Sequence, residues 1–136
     1  MFNNRKDYAM KTSVTLILFI YLSCHMIMAQ NNNLKKDPAG QWKFEASYAP
    51  EGYNSGTLTV GLSDKGYSAV MFFSGNGYKF NGENVKFEKD TLSFRFYAEN
   101  QEVKVKLRLE TNDKLNGRGE YSEGEVPLLL TRMEGK

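Results

Sequence analysis

The sequence predicts an all-β protein, an eight-stranded antiparallel up-and-down barrel that follows a cleaved N-terminal signal. From Trp42 onward the apolar residues recur at every second position, as in strands with one buried and one wet face. Tight-turn motifs, of which Asn76-Gly77 is the strongest, separate these runs. A single apolar run of signal-peptide length stands near the N-terminus. An antiparallel sandwich is the alternative fold.

The N-terminal segment has the pattern of a secretory signal peptide. Lys11 precedes an apolar run over residues 14–28, which is shorter than the roughly 20 apolar residues of a spanning helix. Ala29 is a small residue at a cleavage position, and a polar run follows it. We divide the chain into a signal peptide (1–29), a flexible leader (30–38) and one barrel domain (39–136). We expect export to the periplasm or the extracellular space, with no stable membrane span after cleavage.

Two alternatives stay open at this end of the chain. Leu22-Ser23-Cys24 partly matches the motif at which bacterial lipoproteins are lipidated, so an anchor at Cys24 is the minor alternative. Tyr21 stands where that motif has an aliphatic residue, and the residues after Cys24 are apolar rather than polar. The true start is either Met1 or Met10, since signals usually begin with a charge close to the initiator.

Cleavage after Ala29 changes the charge and the chemistry of the chain. Three of the 18 basic residues and one of the 16 acidic residues are removed, which leaves fifteen of each. A neutral chain argues against binding to nucleic acid or to an anionic membrane. Cys24 and His25, the chain's one cysteine and one histidine, are removed as well. We therefore expect no thiol or histidine catalysis, no disulfide, no metal site and no cofactor, and we name no catalytic residue.

The period of two continues through eight predicted strands. The clearest example is the alternation of Val103, Val105, Leu107 and Leu109 with charged residues, which form a solvent-facing stripe. The predicted strands span 41–47, 56–63, 67–74, 78–88, 91–98, 101–110, 114–121 and 125–132. Asn81-Gly82 marks a bulge or a break within the fourth. The connections leave no room for crossovers, so the strands form a meander, and closing it into a barrel removes the exposed edges.

Several motifs carry a family resemblance. Gly40-Gln41-Trp42 opens the first strand, a hairpin motif covers residues 85–94, Leu115 to Gly119 is glycine-rich, and Pro127 to Arg132 closes the chain. In this order they resemble the small lipocalin-like (calycin) β-barrel domains of exported bacterial proteins, over about residues 39–133. The resemblance implies a binding or accessory role without catalytic residues. It also implies that Trp42 packs against Arg132, with Gly40 beside them, and closes one end of the barrel.

Three tyrosines are the candidate ligand-binding residues. In an up-and-down barrel, the loops after the first, third, fifth and seventh strands gather at one end. The longest connection carries Tyr48 and Tyr53, and Tyr78 begins the strand after the third loop. Because a tyrosine offers an apolar ring with a polar tip, we predict that the three rim a mouth for a small apolar or carbohydrate ligand. The alternative is that they form a hydrophobic lid over the barrel.

Two further features are the outward residues of the third strand and two glycines that face the lumen. The third strand is apolar on both faces, so Val70 and Phe72 point outward and are a candidate surface for a protein partner or a second copy. Gly117 and Gly119 fall on the inward face. The space left by their missing side chains either holds a ligand or is filled by bulky neighbours such as Phe94 and Phe96.

Together these features predict a secreted or periplasmic, non-catalytic β-barrel that binds a small molecule, a glycan or a protein partner. The alternative is a carboxylate-only hydrolase such as a glycosidase, which needs two acids facing one cavity. The acidic residues fall at outward strand positions or in turns.

Overall fold

The structure is a computed structural model and describes residues 35–135, all in strands and short connections. The signal peptide, the alternatives at Cys24 and Met10, and most of the leader lie outside the described residues. These described residues form nine strands: β1 (Gly40–Glu45), β2 (Ser55–Ser63), β3 (Gly66–Phe73), β4 (Lys79–Asn81), β5 (Glu83–Glu88), β6 (Thr91–Ala98), β7 (Gln101–Thr111), β8 (Lys114–Tyr121) and β9 (Gly124–Arg132). The all-β prediction is confirmed, whereas the count of eight strands is wrong.

All nine strands belong to one antiparallel sheet, in the order β4-β3-β2-β1-β9-β8-β7-β6-β5. The first strand pairs with both β2 and β9, so that Trp42 stands opposite Leu58 on one side and Arg132 on the other. The outermost strands in this order, β4 and β5, are consecutive in the chain. β4 also contacts β6, and β5 also contacts β3. The sheet therefore curls round into a nearly closed barrel rather than a sandwich of two sheets.

The predicted fourth strand, 78–88, is broken at Gly82 into β4 and β5. The Gly82 N–H donates to the Ala69 carbonyl across 2.7 Å, and a Cβ at Gly82 would lie 3.0 Å from the Phe94 ring. At this point the chain stops pairing with β3 and begins pairing with β6. Because β4 and β5 run in the same direction, the connections still alternate between the two ends of the barrel as in an eight-stranded meander.

The core fills the barrel from the inward faces of the strands. Trp42 and Phe44 of β1 are fully buried, and outward neighbours such as Lys43 are exposed. Aromatic rings reach across the line where β4 and β5 close the barrel: Phe80 lies 5.1 Å from Phe96, centroid to centroid. The predicted charged stripe on β7 lies on the outside. The alternation read from the sequence therefore assigns the inner and outer faces of the main strands.

Because neighbouring strands are antiparallel, successive connections lie at alternate ends of the barrel, which we call the open end and the closed end. The open end comprises the connections 46–54, 74–78, 99–100 and 122–123. The closed end comprises residues 37–39 and the connections 64–65, 89–90 and 112–113. A candidate ligand site and the Trp42–Arg132 pair therefore belong to opposite ends.

Candidate functional site

The closed end is built around Arg132. Its guanidinium carbon lies 4.2 Å from the centroid of the Trp42 ring, within range of a cation–π contact. Nη1 donates to the Ala39 carbonyl across 2.6 Å, and Nη2 donates to the Asp37 carbonyl across 2.9 Å. Gly40, at φ 136°, leaves space for this guanidinium, because a Cβ there would lie 2.6 Å from Arg132 Nη1. The first and last strands are thereby tied together without a ligand.

The last residues of the predicted leader also contact this end. Pro38 is fully buried, and its carbonyl accepts a 2.8 Å hydrogen bond from Trp42 Nε1. The Tyr67 hydroxyl donates to Asp37 Oδ1 across 3.3 Å, and Lys36 lies 3.7 Å from Asp90. Residues 36–38 therefore cover the closed end, which leaves the open end as the way into the lumen.

A cavity of about 200 Å³ extends from the open end into the barrel. Its walls are mostly apolar and come from β3, β6, β7, β8, β9 and the start of the long connection: Ala46, Met71, Phe73, Phe96, Ala98, Val103, Val105, Gly119, Val126 and Leu128. Apolar walls with a few polar groups at the mouth are the usual composition of a small-molecule site.

The polar groups of the cavity lie at its mouth. They belong to Tyr53, Glu99, Gln101, Tyr121 and Glu123. The Tyr53 hydroxyl donates to Glu99 Oε1 across 3.1 Å. Burial, the hydrogen bond and the charge of Glu99 all raise the pKa of Tyr53 above its usual value of 10.0. Like any tyrosine, the phenol is protonated at neutral pH, and here it donates to Glu99.

The three predicted tyrosines lie at the open end but differ in their surroundings. Tyr53 lines the cavity, and its ring packs edge-on against Phe73 at 5.0 Å. Tyr78 is 52% exposed and does not line the cavity. The centroids of the Tyr78 and Tyr53 rings lie 6.5 Å apart. Tyr48 is 81% exposed and also lies outside the lining. The structure thus places Tyr53 in the cavity wall and the other two on the outer surface of the mouth.

Backbone contacts hold the long connection 46–54 over the mouth. The Ala49 N–H donates to the Ala46 carbonyl, and the Tyr53 N–H donates to the Pro50 carbonyl. Gly52, at φ 89°, packs against Gly75 of the neighbouring connection so closely that a Cβ at Gly75 would lie 2.8 Å from its Cα. The position of Tyr53 is therefore set by the backbone before any ligand arrives.

Sequence reasoning missed the four polar residues that share the mouth with Tyr53. Glu99 lies in the two-residue turn between β6 and β7, at φ 51°, and Glu123 lies in the turn between β8 and β9. The alternation of connections already placed both turns at the end that carries Tyr53. The grouping of the connections at one end of the barrel was therefore enough to place these two acids near Tyr53.

The two inward glycines of β8 differ in their surroundings. A Cβ at Gly117 would overlap the Lys106 carbonyl oxygen of the neighbouring strand. A Cβ at Gly119 would lie 3.7 Å from Val103 and 3.8 Å from Leu128, at ordinary contact distance. Gly117 therefore allows close approach of the backbones, while the missing side chain of Gly119 contributes to the cavity.

The predicted partner surface lies on the outer face of β3. Val70 is half-buried, and Phe72 is 40% exposed beside Thr57 of β2 and Lys79 of β4. The two side chains are on the opposite face of the strand from Met71, which lines the cavity. A partner bound there would contact the outside of the barrel and not its lumen.

Within residues 35–135, no group of three or more His, Cys, Asp and Glu side chains is arranged to hold a metal ion. The same residues contain no helix of the length and apolarity that crossing a bilayer requires.

The chain matches a solved structure, that of a redesigned β-barrel, with a TM-score of 0.50 and 18% sequence identity. The match covers 71% of this chain and 91% of the designed one. The fold is a β-barrel. No protein-family model matches the chain, and no curated protein matches it. The comparisons therefore support the barrel architecture and carry no information on what the protein binds.

Proposed function

We propose that this protein is an exported, non-catalytic, lipocalin-like β-barrel that binds a small and largely apolar molecule in the cavity at its open end. The observation that carries the proposal is the cavity itself, about 200 Å³ of space among apolar walls. Barrels of about eight strands have interiors either filled by side chains or just wide enough for one small ligand. Here the closed end is filled and the open end is not.

The polar groups at the mouth would orient the ligand. Glu99, Gln101 and Glu123 come from the turns and strand ends on one side, and Tyr53 comes from the long connection. A few fixed polar groups above an apolar pocket supply specificity, while burial of apolar surface supplies most of the binding free energy. A glycan on the exposed tyrosines, or a protein partner on Val70 and Phe72, would use the outside of the barrel instead.

The hydrolase alternative has no support in the described residues. Glu99 and Glu123 line the cavity, and both are exposed. A general acid of a glycosidase is a desolvated carboxyl group among apolar neighbours. We therefore keep the non-catalytic binding role as the proposal.

The test fills the cavity from one wall. Gly119→Leu places an isobutyl group between Val103 and Leu128, and Asn116→Leu places the same side chain on the exposed outer face of β8. With 2-phenylethanol as the probe and calorimetry or NMR titration as the measurement, we expect saturable binding to the parent protein. We expect Gly119→Leu to weaken it about tenfold or more, and Asn116→Leu to leave it unchanged.

Gly119→Ala guards against a Leu variant that fails to fold. It adds one methyl group at ordinary contact distance and should weaken binding by a smaller factor. NMR shifts confined to cavity-lining residues would place the probe. Equal affinity in the parent protein and in the folded cavity-filling variants would contradict the proposal, and so would an absence of binding to the parent.

A further inference from the structure

We infer that the ligand is a cationic amphiphile, an organic amine whose apolar part lies in the cavity and whose protonated nitrogen lies between Glu99 and Glu123 at the mouth. This inference rests on the proposed binding function and names the chemical class of its ligand. It is carried by two observations together, an apolar cavity and the sign of the charges placed at its opening.

The open end carries charge of one sign. Its four connections contain three carboxylates, Glu51, Glu99 and Glu123, and no lysine or arginine. Two of the three line the cavity, and the lining contains no basic side chain. Across an apolar pocket of low dielectric, like charges at the opening give a potential that attracts cations and disfavours anions.

The charge distribution is local, because the described chain is not acidic as a whole. The closed end has lysines in its turns, at Lys65 and Lys89, as well as Arg132 and Lys36. The outer face of β7 carries Lys104, Lys106 and Arg108. The connections of the open end therefore lack basic residues although the composition is balanced; Lys79, which follows the connection 74–78, begins β4 on the outer face of the barrel beside Phe72.

Within the described part of the chain, the two carboxylates that line the mouth form no ion pair. Among residues 35–135, every ion pair involves other acids, and neither Glu99 nor Glu123 belongs to one. Glu83, Glu102, Glu110, Glu120 and Glu125 are paired with arginine or lysine on the outer surface. The acids that line the cavity are thus available to a positive charge that comes with the ligand.

Glu99 is also held in place. It accepts the 3.1 Å hydrogen bond from Tyr53, whose ring packs against Phe73 in the cavity wall. A carboxylate has about four lone-pair sites, so one bond from a phenol leaves capacity for a bond from an ammonium group. Charge-assisted hydrogen bonds of this kind are about twice as strong as neutral ones. A neutral ligand with a hydroxyl group can also donate a hydrogen bond to the carboxylate, but it lacks the attraction between opposite charges, and an anionic ligand is repelled.

Three probes of nearly equal size and shape test the inference: 2-phenylethylamine, 2-phenylethanol and phenylacetate. They differ in carrying a positive charge, no charge or a negative charge at the same end. At neutral pH and low salt, we expect the amine to bind the parent protein about fivefold or more tightly than the alcohol, and phenylacetate to bind most weakly. The advantage of the amine should shrink as salt is added, because the mouth is exposed to solvent.

Variants at the mouth test whether the preference for the amine over the alcohol arises from Glu99 and Glu123. Glu99→Gln and Glu123→Gln should each reduce the ratio of amine to alcohol affinity, and the double variant should bring it close to one. Glu88→Gln is the matched control, since Glu88 is an exposed carboxylate where β5 ends, near the closed end. We expect this control to keep the full ratio.

The outcomes separate this inference from the function on which it rests. If the alcohol binds in the cavity and the amine binds no more tightly, the cationic class is overturned and the binding function stands. The same holds if phenylacetate binds best, or if Glu88→Gln changes the ratio as much as the mouth variants do. If no probe binds the folded parent protein, both fail together.

Discussion

At the scale of single residues, Arg132 combines a cation–π contact with three hydrogen bonds to backbone carbonyls. Its guanidinium lies over Trp42 and donates to backbone carbonyls of Ala39, Asp37 and Asn112. An arginine suits this position because its planar group can stack on an indole and donate in several in-plane directions at once. A lysine ammonium at the end of a flexible chain does not reproduce that geometry.

We expect Arg132→Lys to lower the free energy of unfolding by about 2–3 kcal/mol, through loss of stacking and of hydrogen bonds to carbonyls. Arg108→Lys, on the exposed outer face of β7, makes the same chemical change and should stay within about 0.5 kcal/mol of the parent. Urea unfolding of the three proteins measures the difference. Equal midpoints and slopes for the two variants would show that Arg132 does not hold the closed end.

The structure places Trp42 against Arg132 and Tyr53 in the cavity wall, at positions that a motif and a loop grouping in the sequence had indicated. The family resemblance implied the meeting of Trp42 and Arg132, but not the carbonyl acceptors, because these depend on the path of residues 37–39. The loop grouping placed Tyr53 at the mouth, yet it did not say that Tyr53 faces inward while Tyr48 faces solvent. That difference is set by the local hydrogen bonds of the long connection, which the sequence pattern does not contain.

At the scale of elements, the strands most tightly defined by their turns were predicted best. The bounds of β6 and β8 agree with the prediction, since two-residue turns flank them on both sides. The fourth predicted strand was wrong as a single element. Asn81-Gly82 indicated an irregularity, but the change of partner from β3 to β6 follows from closing the sheet on itself, which is a tertiary effect.

The glycines of β8 offer a matched pair of substitutions in one strand. We expect Gly117→Ala to destabilise the protein by about 1–3 kcal/mol, because the added methyl group overlaps the Lys106 carbonyl and forces β7 and β8 apart. The methyl group of Gly119→Ala would lie at ordinary contact distance from its neighbours, so this substitution should cost clearly less. Thermal or urea unfolding compares them, and a Gly117→Ala variant as stable as Gly119→Ala would mean that the strands do not approach so closely.

At the scale of the whole molecule, the meander predicted from the sequence already indicated a barrel. It did not indicate the cavity. Eight predicted strands joined by short turns form a sheet whose two edge strands have unpaired backbone N–H and C=O groups. Closing the sheet into a barrel pairs these groups. Whether the lumen is full depends on how far Phe73, Phe96 and their neighbours reach across it. Alternation gives the direction of each side chain and not the width of the space between opposite walls.

The export prediction also belongs to the whole chain. Expressed with its own N-terminus in a bacterial host, the protein should be recovered outside the cytoplasm with a mature chain that begins at Gln30. Intact-mass spectrometry measures the start, and Cys24→Ala should give the same mature mass as the parent because that residue is removed. A version that begins at Gln30 serves as the control and should stay in the cytoplasm. A retained segment 1–29, or a lipid on Cys24, would contradict cleavage after Ala29.

The pairing of β1 with β9 has a consequence for the order of folding. Every other strand pair joins neighbours in the chain, with β4 and β5 as two halves of one strand, so each needs only a short loop to close. Trp42 and Arg132 stand opposite each other although nearly the whole domain separates them. A growing chain has both edges of its sheet exposed until β9 has been synthesised. A truncation before Gly124 therefore leaves β1 and β8 as open edges that can recruit strands from other molecules.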